Sequence, residues 1–174
     1  MDYIYFFYGL SFLVLGVVCF TLDKKRSGAL PWLWLGIFGF MHGLNEWLDL
    51  VAYVFGDSIY FSIVRLLFLA GSFYFLFKFC LAGLQIKNAR FFRGWTLVVA
   101  GTVATMWFLY GINGAQAAAR YLFGFPASLG TSLVFFRFGL GFKKEMRVLL
   151  WLVSVSFLAY SFLSGMIVSR VPVF

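Results

Sequence analysis

Charge is scarce in this 174-residue chain: 11% of its residues are charged, with 6 acidic side chains against 14 lysines and arginines. A soluble domain carries about a quarter charged residues. A chain so poor in charge and with a mean hydropathy of +0.95 cannot clothe itself in polar surface, which makes lipid the solvent for most of it. Cysteine is nearly absent. Cys19 and Cys80 sit in apolar runs without a CxxC spacing, which excludes a disulfide framework and a thiolate metal centre and leaves packing roles. There is one histidine, His42. No HExxH, serine elbow or phosphate-cradling loop accompanies it. The first apolar run has no basic segment before it and no A-x-A site after it, so it reads as a retained span and not a cleaved signal. The apolar runs also lack the period-two alternation of barrel strands, which excludes a membrane barrel. A net charge of +8 without a basic helix or an RNA-binding aromatic motif excludes nucleic acid as a partner.

What is present is a series of apolar runs, each long enough for a helix of about 20 residues to cross the hydrocarbon core. Backbone groups in lipid must pair internally, so the fold expected is all-α, a polytopic transmembrane bundle forming one domain over residues 1–174. Six spans are predicted: Tyr3 to Leu22, Ala29 to Phe55 with Pro31 in the first turn, Ser58 to Leu84, Trp95 to Ile112, Ala115 to Phe142 with a bend at Pro126, and Val148 to Val168. Asn113-Gly114 is the turn expected between the fourth and fifth. The first, third and fifth loops carry the basic clusters, Lys24, Lys25 and Arg26, then Lys87, Arg90 and Arg93, then Lys143, Lys144 and Arg147. The positive-inside rule puts these loops in the cytoplasm and the N-terminus outside. No internal repeat is visible, which weakens a transporter of inverted repeats.

Ionisable residues at membrane depth cost several kcal/mol, so each needs a partner or a purpose. The second span holds His42, Asn45, Glu46 and Asp49 at helical spacing, hence on one stripe. Gly36, Gly39 and Gly43 form an adjacent stripe that lets a neighbouring backbone approach closely. The turn at Gly56-Asp57 folds the third span back along the second, so Asp49 and Arg65 fall at matching depth. Arg120, beside Tyr121, lies early in the fifth span on the same outer side. One network is therefore expected in the outer half: His42, Asn45, Glu46, Asp49, Arg65, Arg120 and Tyr121. Three readings stay open: helices held in register and nothing more, a ligand or signal site, and a sparse metal site on His42, Glu46 and Asp49. A single histidine also makes haem a weak candidate, and the pattern names no cofactor. Catalysis has little support beyond a proton shuttle on the same three residues. Lys78 and Arg137 are placed to snorkel. Trp32, Trp34, Trp95 and Trp151 fit an interfacial belt. Trp47 lies deeper, where it could line a pocket. The run Tyr3, Tyr5, Phe6, Phe7 and Tyr8 reads as an outer anchor or as an aromatic wall for a flat ligand.

The stretch Phe38-Gly39-Phe40-Met41-His42-Gly43-Leu44-Asn45-Glu46-Trp47-Leu48-Asp49 resembles an FGxxHGxxEWxD pattern of N-terminal membrane modules in bacterial sensor histidine kinases and related signalling proteins. Tyr5-Phe6-Phe7-Tyr8-Gly9-Leu10 and Ala119-Arg120-Tyr121-Leu122-Phe123-Gly124-Phe125-Pro126 are similar to two further blocks of those modules, in the same order. The resemblance implies a sensory module in a bacterial inner membrane, with cytoplasmic signalling domains in the parent protein, which would be the histidine kinase. The sequence departs by carrying no such domain. Its apolar ending, Ser169 to Phe174, reads as the approach to a seventh helix. The partners expected are the bilayer, a small-molecule or ion ligand (a lipid or quinone, a metal ion or a proton) and a second copy in a homodimer. A small transporter or channel along Glu46, Asp49, Arg65 and Arg120, and a metal-binding membrane protein or enzyme, are the alternatives.

Overall fold

The computed structural model describes residues 2–24, 30–86 and 89–166, and every regular element among them is helical. In order they are α1 (Asp2–Lys24), α2 (Trp32–Phe55), α3 (Ile59–Gly83), α4 (Ala89–Ala119), a π-helical segment (Arg120–Gly124), α5 (Phe125–Gly139) and α6 (Lys144–Met166). Four described stretches are long and apolar enough to cross a membrane: Tyr3–Lys24, Ile59–Gly83, Arg90–Gly139 and Lys144–Leu163. Their outward faces carry large apolar side chains such as Val14, Val17, Leu67, Leu97, Phe108 and Leu152. So continuous an apolar surface suits lipid. Val168, Lys25, Arg26, Lys87 and residues 169–174 lie outside the described residues.

Helices in lipid gain nothing from hiding apolar surface from water, so close packing must hold them together. Between α1 and α2 that packing is backbone on backbone. A Cβ at Gly39 would lie 2.7 Å from the Phe12 carbonyl oxygen, one at Gly43 2.7 Å from that of Gly9, and one at Gly16 3.1 Å from that of Gly36. The ends of the seam are tied as well. The Leu33 N–H donates to Asp23 Oδ1 at 3.2 Å, and Trp47 Nε1 donates to the Phe6 carbonyl at 3.2 Å while its ring stacks on Phe6. Gly56, at φ 87°, then turns the chain, and the Ser58 hydroxyl caps α3 by accepting from the Phe61 N–H. Around α2 and α3 the core is aromatic: Phe38, Phe73, Phe79, Phe123, Phe135 and Phe157 are all buried.

The sequence predicts a turn and a bend in this part of the chain, and both irregularities fall a few residues before the expected positions. The chain reverses at Gly111, at φ 67° and ψ −159°, not at Asn113-Gly114. A Cβ on Gly114 would sit 2.7 Å from the Met106 carbonyl oxygen, whereas eight residues of straight helix span about 12 Å. Only glycine takes that conformation without strain. Before Pro126 the irregularity is the π turn Arg120–Gly124, where the Phe125 N–H reaches back to the Arg120 carbonyl. Pro126 has no N–H to offer the preceding turn, and the wider π turn lets it begin α5 where none is needed. Beyond it, the small face of α5 (Ala127, Ser128, Gly130, Thr131) is buried, with Gly130 against the Cys80 side chain. Ser154 of α6 donates to the Ser132 carbonyl at 2.8 Å. The predicted ends also shift: Arg90 and Arg93 lie on α4 rather than in a loop, and Lys144, Glu145 and Arg147 form the first turn of α6.

Candidate functional site

The polar stripe of α2 faces into the bundle, and His42 is its most enclosed member at 1% exposure. It meets α3 and α6 at once. Nδ1 lies 3.1 Å from Ser72 Oγ, and Nε2 lies 2.8 Å from the Tyr160 hydroxyl. The hydrogen-bond network assigns the tautomer. Ser72 gives its one proton to the Leu69 carbonyl at 2.7 Å, so it accepts from His42 Nδ1–H. Nε2 then carries the lone pair and accepts from Tyr160. The result is a relay in one direction: Tyr160 to His42 to Ser72 to the α3 backbone. Phe12, Phe38 and Phe73 surround the imidazole with ring centroids at 4.6, 5.3 and 5.4 Å. An imidazole so enclosed depends on both hydrogen bonds, because water is shut out.

Glu46, one turn outward, is buried, with Oε1 3.6 Å from His42 Nε2. That is beyond hydrogen-bond range, so Tyr160 and not Glu46 holds the imidazole. Arg120 on the π segment is within Coulombic reach of Glu46 and Asp49. A further turn along, Arg65 of α3 bridges two carboxylates: Nη1 donates to Asp49 Oδ1 and Nη2 to Asp57 Oδ2. Asp57 also accepts from the Ser62 hydroxyl at 2.6 Å, and Asn45 Nδ2 donates to Asp49 at 3.3 Å. The pairs His42 with Ser72 and Asp49 with Arg65 share one antiparallel register, seven residues apart on each helix. Asn45 Oδ1 is buried without a hydrogen-bond partner among the described residues, an acceptor that a donor entering the site would satisfy.

Most residues expected from sequence converge. His42, Asn45, Glu46, Asp49 and Arg65 form one continuous polar track, with Arg120 beside it. Tyr121, next to Arg120 on the π segment, is half-exposed. The metal set fails. His42 has both nitrogens in hydrogen bonds, and no group of three or more His, Cys, Asp or Glu side chains among the described residues could hold an ion. Lys78 does not simply snorkel. Its Nζ lies over Trp34 at 4.5 Å and Tyr74 at 5.1 Å, a cation–π pocket near the other end of the bundle.

Sequence reasoning missed Ser72, Tyr160 and Asp57. Ser62, Arg65 and Ser72 share a helical face of α3, so the same spacing rule that exposed the α2 stripe applies to them. Tyr160 left no local signal; it is one tyrosine in an apolar helix, 118 residues from its partner. Its removal has a defined expectation. Tyr160→Phe leaves Nε2 buried and unpaired and will lower stability by about 1–3 kcal/mol. Ser72→Ala will do the same to Nδ1. Because both act through one imidazole, the double variant will lose less than the two singles together. Unfolding curves in mixed micelles measure all three, and strict additivity would show that the relay is not one unit.

No family model, curated protein or solved structure matches the chain significantly.

Proposed function

We propose that this chain is a membrane-embedded sensory module, in which the hydrogen bonds of His42 set how α6 packs against α2 and α3. One observation carries the reading. Among the described residues the α6 backbone packs on α5 and the π segment, and reaches α2 through side chains, Tyr160 to His42 and Phe38, and Phe157 to Phe38. A stimulus that changes the partner of His42 therefore has a helix to move. It can shift the equilibrium only as far as it favours one packing over the other.

In this reading six helices cross the bilayer: α1, α2, α3, residues 89–110, residues 112–139 and α6. α2 crosses despite its charges because they are paired within the bundle. Lys24, Arg90, Arg93, Lys144 and Arg147 gather at one end and Asp57 at the other, so the positive-inside rule puts the N-terminus and the polar track on the outer side. Transport has less support. Inward of His42 the core is filled by Phe38, Phe73, Leu76 and Phe79, all at 0% exposure, and among the described residues the polar groups buried at that depth are uncharged, such as Thr131, Ser132 and Ser154.

The test uses spin labels at the lipid-facing positions Val51 of α2 and Val155 of α6, on a background with Cys19 and Cys80 replaced by alanine, in lipid nanodiscs. A narrow distance distribution is expected for the parent. Tyr160→Phe will displace or broaden it, and Ser132→Ala, at the α5–α6 contact, will not. An unchanged distribution in Tyr160→Phe would defeat the reading.

A further inference from the structure

Tyr160 has a second setting. It stands at the edge of a groove of about 650 Å³ that runs between α1 and α6, two helices whose backbones do not approach each other among the described residues. The volume falls in the range of small-molecule sites. Along α6 the lining reaches from Leu149 to Leu163, about 21 Å of helix. No charged side chain lines it. Toward Leu149 the wall is aliphatic, with Leu15 and Leu152, and rings gather around Tyr160. There Phe12 lies 5.6 Å from the Tyr160 ring and Phe157 6.4 Å, with Tyr8 against Phe12 at 5.1 Å. The groove thus has an aromatic head and an aliphatic tail, and it opens to the membrane interior.

Its hydroxyls specify the polarity of an occupant. Ser11 gives its proton to the Phe7 carbonyl at 2.8 Å and Ser156 to that of Leu152 at 2.9 Å. Tyr160 gives its own to His42. All three protons are thus already committed, and the Ser11 and Ser156 oxygens present acceptor lone pairs to the groove. A ligand whose head only accepts would have to take the Tyr160 proton from His42, leaving a buried imidazole nitrogen unsatisfied. A ligand whose head donates leaves the relay intact.

The geometry points to a neutral, ring-bearing lipid with hydroxyl donors, the hydroquinone class, bound with its ring among Phe12, Phe157 and Tyr160 and its tail along α6. This names the input of the sensory reading above and rests on it for the consequence of binding, though not for binding itself. An acceptor-only quinone of the same skeleton would bind more weakly and disturb the His42 relay, so the site would distinguish the two redox forms without carrying out redox chemistry.

Nanodiscs holding the full chain are titrated with decylubiquinol, decylubiquinone, a short-chain diacylglycerol or dodecane, and the thermal unfolding midpoint is followed against lipid content. Decylubiquinol is expected to raise the midpoint and to bind at least tenfold more tightly than decylubiquinone. Tyr160→Phe will shrink that preference. Ser156→Trp, which fills the groove, will abolish the response, and Val155→Trp, on the lipid side, will keep it. If Ser156→Trp does not fold, Leu152→Trp makes the same test. Equal responses to quinol and dodecane, or an unaltered response in both groove-filling variants, would overturn the assignment; an equal response to diacylglycerol would overturn the ring-bearing class. Decylubiquinone, which takes the Tyr160 proton from His42, is expected to shift the α2–α6 distance where decylubiquinol leaves it at the parent value; binding of both with the distance unchanged would leave the groove assignment standing and remove the sensory reading.

Discussion

Gly39→Val will cost about 3 kcal/mol or more and will be the most damaging single change in the α1–α2 pair. The new Cβ would fall 2.7 Å from the Phe12 carbonyl oxygen and 2.9 Å from the Gly16 nitrogen. Both are backbone atoms of α1, so no rotamer change can make room. Overpacking of this kind costs 1–3 kcal/mol where side chains can yield, and more where they cannot. Parting the helices also forfeits the contacts that hold them together in lipid, where no hydrophobic term compensates. Trp47, hydrogen-bonded to Phe6 across the same seam, reports the separation by its fluorescence. Gly101→Ala is the control. A Cβ there meets nothing within 4 Å, so it should leave stability unchanged or raise it by up to about 1 kcal/mol through helix propensity. Similar losses in the two variants would show that the seam does not hold the pair.

Arg65→Met carries the second large effect. It leaves Asp49 and Asp57 without the guanidinium that bridges them, two carboxylates facing each other in a partly buried site. Removing one partner from a buried ion pair costs about 3–5 kcal/mol, chiefly because the other charge is stranded. The remedy follows from that cause. The triple variant Arg65→Met, Asp49→Asn, Asp57→Asn removes all three charges and will recover most of the loss. Equilibrium unfolding in mixed micelles compares the two. If the triple variant were as unstable as the single, Arg65 would act by packing, for instance through its contact with the Phe61 ring, and not as a counter-charge.

Much of this was legible because two simple periodicities apply within α2 and α3. Four polar residues at helical spacing gave the inward stripe, and a short turn fixed the antiparallel register that joins Asp49 to Arg65. The glycine stripe likewise lay where the seam with α1 runs. The rest depended on distances that a linear reading does not contain. Tyr160 meets His42 only because α5 and α6 pack as a pair and bring the far end of the chain back to α2. The π turn that carries Arg120 and Tyr121 was not legible either, since one residue too many per turn shifts the phase of every face beyond it. Asn113-Gly114 looked like a stronger turn than Gly111, since Asn-Gly is a familiar turn pair. The positive φ fell on Gly111, where an added Cβ would meet nothing within 4 Å and the backbone conformation alone calls for glycine.

The span of sequence between His42 and its phenol partner also sets a schedule for biogenesis. Arg65 follows Asp49 by 16 residues, but Tyr160 follows His42 by 118. At a synthesis rate of about 5–20 residues per second, the second delay is on the order of ten seconds. A lone acidic residue at mid-membrane costs a helix about 2.5–3.5 kcal/mol on insertion scales, so on the six-span reading proposed above α2 would enter the bilayer most readily together with α1, to which the glycine seam joins it, and with α3, which brings Arg65. Throughout that interval the imidazole waits without the phenol that Nε2 pairs with in the finished fold.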